Sequence, residues 1–327
     1  IHMIITKTPL RISFAGGGSD LKEYYQKFGG SVLSTSINKF IYLSAINNFN
    51  KNEILLKYSS TERVSNVNKI NHNILREVLK YYNINNIDFN SSADLPSGTG
   101  LGSSSAFTAG LILLSNVFNG SDVDKEYIAS KACEIEIENL NHPIGKQDQY
   151  ASTYGGLNFI SFNMNGSVEV EKINLKSDIK KQLNRRLLLF YLGTTRSANS
   201  ILEEQKDNSI YNKNKINSLH NIVRLSELLK QDLKQNNISN FGEILNEGWG
   251  IKKNLASKIS NSRINHYYKL AIQNGAIGGK LLGAGGGGFL LLYCLEDNQP
   301  KLITALKELD LISFEMESEG SKIIYKD

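Results

Sequence analysis

The residues best suited to chemistry lie in one glycine- and serine-rich stretch, Asp94-Leu-Pro-Ser-Gly-Thr-Gly-Leu-Gly-Ser-Ser-Ser-Ala106. Gly98, Gly100 and Gly102 carry no side chains, so the backbone can turn sharply and come close to a ligand. Ser103, Ser104 and Ser105 follow, where an apolar helical run begins. The first N–H groups of a helix are unpaired and carry about half a positive charge. That combination suits a phosphate, and the serine hydroxyls can reach a cation bound to it. A glycine-serine turn that only caps a core helix has the same composition, so the loop alone leaves both readings open.

Other stretches present groups of the same kind. Arg11 lies in a run that leads into Gly16-Gly17-Gly18-Ser19-Asp20. Asp20 reads either as the cap of a helix at 21–28 or as a carboxylate turned toward sugar hydroxyls. Gly193-Thr194-Thr195-Arg196-Ser197 offers an arginine, hydroxyls and a helix start, unless Arg196 is merely solvated. Asp148 follows the breakers Pro143 and Gly145 into the first turn of a short helix, where the dipole alone also favours an acid. Glu134, Glu136 and Glu138 share the preceding helix, and periodicity singles none of them out.

The elements that must hold these groups read as a mixture of strands and helices. Residues 4–8 alternate like a strand, and 9–15 lead on to the glycines. Strands are expected at 31–47, 53–58 and 87–93, a helix at 72–83, and the apolar helix at 107–118. A helix at 124–140 and a hairpin at 157–173 follow. The chain turns polar and basic at 177–186, and the domain boundary is set there, giving 3–180 and 181–327. Beyond a strand at 187–192, residues 212–275 read as helical with apolar stripes, to which no chemistry is assigned. Gly275–Gly288 is dense in glycine, and strand 289–295, helix 301–309 and two closing strands complete the chain.

Composition bounds the function. The 327 residues are 40% hydrophobic and 21% charged, ordinary for globular domains. The net charge of +5 is spread without basic clusters, which argues against nucleic acid as a partner. Cys133 and Cys294 lie in apolar runs and read as two buried thiols of a reducing compartment. No run approaches the ~18 apolar residues of a membrane helix, so a cytoplasmic protein is expected. Ile1 and His2 read as a cloning remnant before Met3.

Motifs narrow the chemistry further. Gly283–Gly288 fits G-x-G-x-x-G, but a strand follows it where a dinucleotide site needs a helix. There is no G-x-x-x-x-G-K-[ST], no protein-kinase set, no G-x-S-x-G frame and no zinc spacing among the histidines. Phosphoryl transfer from a nucleotide survives. It requires a phosphate cradle, a metal ligand, a residue that positions the acceptor and contacts that hold it in line. The 96–106 loop, a serine with a helix glutamate, Asp148, and the two loops at 11–20 and 194–197 are candidates for these parts.

Taken together, three blocks resemble the GHMP kinases, a family that includes galactokinase, homoserine kinase and mevalonate kinase. They are Thr8-Pro-Leu-Arg-Ile-Ser-Phe-Ala-Gly-Gly-Gly-Ser-Asp20, Pro96-Ser-Gly-Thr-Gly-Leu-Gly-Ser-Ser-Ser-Ala106 and Lys280-Leu-Leu-Gly-Ala-Gly-Gly-Gly-Gly-Phe289, in family order. The resemblance implies an α+β, two-domain fold. Its N-terminal nucleotide-binding domain is ribosomal-protein-S5-domain-2-like, and its C-terminal domain is ferredoxin-like α/β with extra helices. It implies ATP as co-substrate and Mg²⁺ as cofactor. Nucleotide contacts fall on Pro96, Gly98, Gly100, Leu101, Gly102, Ser103, Ser104 and Ser105. Ser104 and Glu136 become the metal ligands, and Asp148 the residue that abstracts or orients the acceptor proton, with Arg11 beside the transferring phosphate.

Substrate contacts are implied for Gly17, Gly18, Ser19, Asp20, Gly285 and Gly286. Gly16-Gly17-Gly18 replaces the Gly-Glu-His of galactokinases, so the galactose-reading glutamate is missing. The Gly-Gly-Gly-Ser-Asp version, with Gly-Lys-Gln-Asp-Gln-Tyr and Thr-Arg-Ser, is similar to the bacterial branch acting on D-glycero-D-manno-heptose 7-phosphate at its anomeric hydroxyl. On that reading Thr195 and Arg196 receive the 7-phosphate, and the product feeds surface polysaccharide synthesis. A fucokinase-like sugar 1-kinase is the alternative, followed by a non-catalytic nucleotide or sugar sensor. Expected partners are a sugar phosphate and a nucleotide, with no nucleic acid or membrane and a homodimer left open.

Overall fold

The structure is a computed structural model that describes residues 3–51, 53–193 and 199–327. In chain order its first half holds β1 (Met3–Ala15), α1 (Lys22–Phe28), β2 (Gly30–Ile46), β3 (Ile54–Lys57), β4 (Thr61–Val64), α2 (Asn73–Tyr81), β5 (Ile87–Ala93) and α3 (Ser103–Phe118). Then come α4 (Lys125–Cys133), a π-helical segment (Glu134–Asn139), α5 (Gln147–Tyr154), β6 (Leu157–Phe162), β7 (Val168–Lys172) and α6 (Ser177–Arg186). The remainder is β8 (Leu187–Tyr191), α7 (Asn199–Tyr211), α8 (Lys213–Lys234), α9 (Phe241–Lys252), α10 (Ser262–Gln273), β9 (Ala276–Leu281), β10 (Phe289–Cys294), α11 (Gln299–Ala305), β11 (Asp310–Ile312), β12 (Met316–Glu317) and β13 (Lys322–Lys326).

The first sheet is built on β1 and β2, which pair antiparallel from Met3↔Ile46 to Ala15↔Leu33. β1 is longer than the alternation at 4–8 indicates, because it runs on through Pro9. The ladder shifts register between Pro9 and Leu10, and a bulge is where a residue without an N–H is tolerated. β2 is long enough to serve two neighbours. Its first part pairs with β6 and its last part with β5, so the nine-stranded sheet branches at this strand.

α3 is apolar all round and buried from Ser105 to Phe118, as expected of a helix enclosed on every side. It packs on β1, β2 and α5. The helix expected at 124–140 is not uniform. Asp124 caps α4 through the Tyr127 N–H, and after Cys133 the coil widens, with Leu140 N–H donating to Ile135 O. Single π-turns of this kind are frequent at functional sites.

The second sheet has the order β11-β8-β10-β9, all antiparallel. Counting its strands along the chain gives 4-1-3-2, the ferredoxin-like arrangement, with four helices where the simple motif has one. The polar, basic span 177–186 forms α6, which runs directly into β8. A boundary at 180/181 also leaves out a crossing: β12 and β13 return to pair with β2 and β1 of the first sheet. The helical stretch 212–275 is three separate helices, interrupted at 235–240 and 253–261.

The two sheets meet through aromatic side chains. Phe241 of α9 packs edge-on against Phe14 of β1 at 5.1 Å and stacks with Tyr293 of β10 at 5.5 Å. All three are essentially fully buried. Truncating a buried Phe typically costs about 3–5 kcal/mol. Phe241→Ala should lower the unfolding free energy in urea by about that much, and a loss below about 1 kcal/mol would show that this joint carries little of the stability.

Candidate active site

Site geometry begins at the start of α3. Its N-cap, Gly102, sits in the left-handed region (φ 74°) and offers no side chain, and the first turn holds no acid. Ser103, Ser104 and Ser105 line a cavity of about 320 Å³ together with Gly98, Gly100 and Gly102. β1 fixes this loop in place. Arg11 N–H donates to Leu101 O at 3.0 Å, and Arg11 Nη1 donates to Gly100 O at 2.7 Å. The first turn of α3, whose N–H groups have no intrahelical partner, thus stands at the wall of an open space.

Arg11 also grips Asp148 with two bonds, Nε to Oδ1 at 2.7 Å and Nη2 to Oδ2 at 2.8 Å. Oδ1 additionally accepts from Gln147 Nε2 at 3.1 Å, and Gln147 Oε1 accepts from Ser13 Oγ at 2.8 Å. Each carboxylate oxygen has about two acceptor sites, so Oδ1 is filled and Oδ2 retains one. Oδ2 faces Gly102, where an added Cβ would stand 3.2 Å away. The aspartate is thus oriented by Arg11 and Gln147, with Ser13 behind the glutamine, and keeps one oxygen available beside the 98–102 loop.

Asp20 is not a helix cap. α1 starts after Leu21, which makes no side-chain cap bond. Asp20 Oδ1 accepts from Gly18 N–H at 2.9 Å and Oδ2 from Gln147 N–H at 3.2 Å, so it joins the glycine loop to the start of α5. Gly145 makes this approach feasible, because a Cβ there would lie 2.0 Å from Oδ2. Burial, and then the Asp148 charge, raises the Asp20 pKa against the opposing pull of backbone N–H groups.

Glu136 is the buried glutamate of the three on its helix, wholly withdrawn from solvent, whereas Glu134 and Glu138 are exposed. Ser104 Oγ donates to its Oε1 at 2.9 Å and Gln149 Nε2 to its Oε2 at 2.8 Å. Burial raises its pKa first of all, and hydrogen bonds from Ser105, Ser104 and Gln149 hold it back. A hydroxyl and one carboxylate next to a phosphate cradle are hard oxygen donors of the kind Mg²⁺ takes together with phosphate oxygens and water. The residues fit that ion. No group of three His, Cys, Asp or Glu able to hold a metal exists among the described residues.

Several expected residues stand elsewhere. Ser19 is buried, and its Oγ donates to backbone carbonyls of Gly16 and Ser31, so it shapes the loop and does not line the cavity. Pro96 is exposed at the rim and Leu101 is buried, its carbonyl accepting from Arg11. Gly17 and Gly18 line the cavity, but Gly285 and Gly286 do not: they press on Ile259, whose carbonyl accepts from Gly286 N–H. Gly283 and Ala284 face the cavity in their place, and Gly283 touches Gly100 so closely that a Cβ would stand 2.4 Å from its Cα. Thr195 and Arg196 lie outside the described residues.

Sequence reasoning missed Ser13, Gln147, Gln149 and Lys252. The two glutamines flank Asp148, and alternation around that candidate aspartate could have marked them. Lys252 falls at helical spacing from Phe241, Leu245 and Trp249, on a stripe that is otherwise apolar. A lysine in such a stripe is a signal in itself.

A family model described as "GHMP kinases N terminal domain" matches residues 67–156, and one described as "GHMP kinases C terminal" matches 229–309. The chain is 33% identical over 317 residues to D-glycero-alpha-D-manno-heptose 7-phosphate kinase of Campylobacter jejuni, covering 93% of each. It is 24% identical over 332 residues to L-fucokinase/L-fucose-1-P guanylyltransferase of Bacteroides fragilis, covering 88% of this chain and 34% of that protein. In fold it matches the crystal structure of a D-glycero-D-manno-heptose 1-phosphate kinase from Bacteroides thetaiotaomicron, with a TM-score of 0.81 at 23% identity over 99% of both chains. Both family models and the shared length with the Campylobacter enzyme lead to one conclusion: the chain belongs to the GHMP kinases, phosphotransferases that take an alcohol as acceptor and ATP as donor.

Proposed function

We propose that this chain is a sugar 1-kinase that moves the γ-phosphoryl group of ATP onto the anomeric hydroxyl of D-glycero-D-manno-heptose 7-phosphate. The product is the 1,7-bisphosphate, a precursor for nucleotide-activated heptose and surface polysaccharide. The observation that carries the chemistry is the Arg11–Asp148 pair held against the uncapped start of α3. The choice of sugar is supported by the 33% identity to the Campylobacter enzyme along nearly its whole length.

On this reading the loop N–H groups bind the nucleotide phosphates, and Ser104 with Glu136 would hold Mg²⁺. Bound there, that ion would supply positive charge against the phosphate oxygens. The free acceptor site of Asp148 Oδ2 receives the hydrogen of the anomeric hydroxyl, and Arg11 keeps the carboxylate aimed at it. Asp20, Gly17 and Gly18 read the sugar hydroxyls. Thr195 and Arg196 remain the proposed receptor of the distal phosphate. A fucokinase-like activity is the second reading, favoured by the Bacteroides fragilis relative.

Three measurements test this. General-base assistance is worth about 10²–10⁴-fold, so Asp148→Asn should cut turnover by about that factor while nucleotide binding persists. Turnover close to wild type would remove Asp148 from its role. Among heptose 7-phosphate, fucose, galactose and mannose, the heptose phosphate should be used best, with phosphorus NMR placing the new phosphate on C1. Preference for fucose would establish the second reading.

The third concerns Glu136. Its raised pKa means that folding favours the protonated form. That contribution is full below the ordinary glutamate range and is lost as pH rises through the raised value. In metal-free buffer at neutral pH, Glu136→Gln should therefore melt at or above the wild-type temperature while losing Mg²⁺-dependent turnover. Gln149 Oε1, buried without a partner among the described residues, can receive the new amide after a flip. A clear fall in melting temperature would contradict this account.

A further inference from the structure

One buried cation of the cavity has no part in the reaction as described. Lys252 ends α9 and is 8% exposed, and its Nζ donates to Gly283 O at 2.5 Å. An ammonium has three donors, so two remain. Among the described residues it forms no ion pair. Buried lysines are rare unless paired. Packing alone does not account for this one, since its head reaches the same cavity as Arg11, Asp20 and Asp148.

The anchor of that head locates it. Lys252 holds the carbonyl of Gly283, and Arg11 holds the carbonyl of Gly100, while Gly283 and Gly100 are in backbone contact. Two cations from opposite units are thus fixed on the two glycines that meet at the phosphate loop. Arg11 is engaged by Asp148 and Gly100. Lys252 therefore has the donors to spare.

We infer that Lys252 is a further catalytic residue, whose ammonium contacts an oxygen of the phosphoryl group as it passes from nucleotide to acceptor. This rests on the kinase reading given above. The bond from phosphorus to the nucleotide oxygen breaks, the bond to the acceptor oxygen forms, and the acceptor proton goes to Asp148. Lys252 stays protonated throughout and supplies charge only.

Its environment gives the role a pH limit. Burial and the Arg11 charge push Lys252 down to about 8, with Asp20 and Asp148 acting in the opposite sense. The other cation facing it, Lys280, donates to Phe14 O and is itself lowered well below the usual range by burial and by the Lys252 and Arg11 charges. The ammonium is present below about 8 and is lost as pH rises through that value.

The test is steady-state kinetics of the full chain with Mg²⁺-ATP, for wild type, Lys252→Met, Lys252→Arg and Asp148→Asn, across pH and with phosphorylated and unphosphorylated sugars. Removing one preorganised donor costs about 10²–10³ in kcat, so Lys252→Met should lose about that on every acceptor while the KM for ATP stays within about threefold. Wild type should lose activity as pH rises through about 8, and Lys252→Arg should lack that limb. Wild-type turnover by Lys252→Met overturns the inference. So does a loss confined to the KM of phosphorylated sugars, which would make Lys252 a receptor for the acceptor's own phosphate. Retention of the alkaline limb in Lys252→Arg, which reads out even if the Met variant fails to fold, overturns it too. A normal Lys252→Met beside a crippled Asp148→Asn leaves the kinase reading intact, whereas a wild type inactive on every sugar overturns both.

Discussion

Arg11 ties two pieces of chain to one strand, and the geometry of the site depends on that tie. Its backbone and side chain hold the carbonyls of Leu101 and Gly100, and its guanidinium grips both oxygens of Asp148. The strand that carries it is bonded to β2 along its length and to β13 on the other edge. A planar fork of five donors is what allows one side chain to address a carbonyl and a carboxylate together, and a lysine could not replace it. The 98–102 loop and the Asp148 carboxylate are therefore set relative to each other by a single rigid group.

Around that group the site concentrates buried charge. Glu136, Asp20, Lys252 and Lys280 are all below a tenth exposed, and burial is the leading cause of the pKa shift of each. Desolvating such groups opposes folding unless hydrogen bonds and opposite charges compensate. Here the compensation comes from backbone groups and amides: Gly18 and Gln147 for Asp20, Gln149 and two serines for Glu136, and carbonyls for the lysines. Dipoles held in place by the fold need no rearrangement when a charged group arrives, which is the condition for electrostatic catalysis.

Much of this was legible in the residues, for reasons that are local. The phosphate loop announces itself because its glycines and the following apolar helix are contiguous, and the three positive-φ turns at Gly98, Gly100 and Gly102 are what glycine permits. Apolar runs and stripes likewise locate α3, α8, β8 and β10, whereas β9 went unread inside the glycine-dense 275–288 stretch. What could not be read depends on distant chain segments. Asp20 has the composition of a cap, and only the approach of Gly145 and α5 turns it into a clamp. Glu136 differs from its neighbours only in what packs over it. Lys252 was hidden in a stripe taken as core, and Gly283, not Gly285 or Gly286, faces the cavity because Ile259 occupies the other side of the turn.

The return of β12 and β13 to the first sheet has a consequence for how the molecule comes into being. Until residues 316–326 emerge, β1 has a free outer edge and the middle of β2 lacks a neighbour on one side. The ribosome delivers those strands after every residue that lines the cavity, so the half of the molecule that carries Arg11 and the 98–102 loop waits, incompletely paired, until they emerge. Open strand edges recruit other chains when they persist. A chain stalled or nicked just before β12 would keep every residue that lines the cavity and still lack the closure that holds the strand behind it, leaving quality control an enzyme with an open, sticky edge to remove.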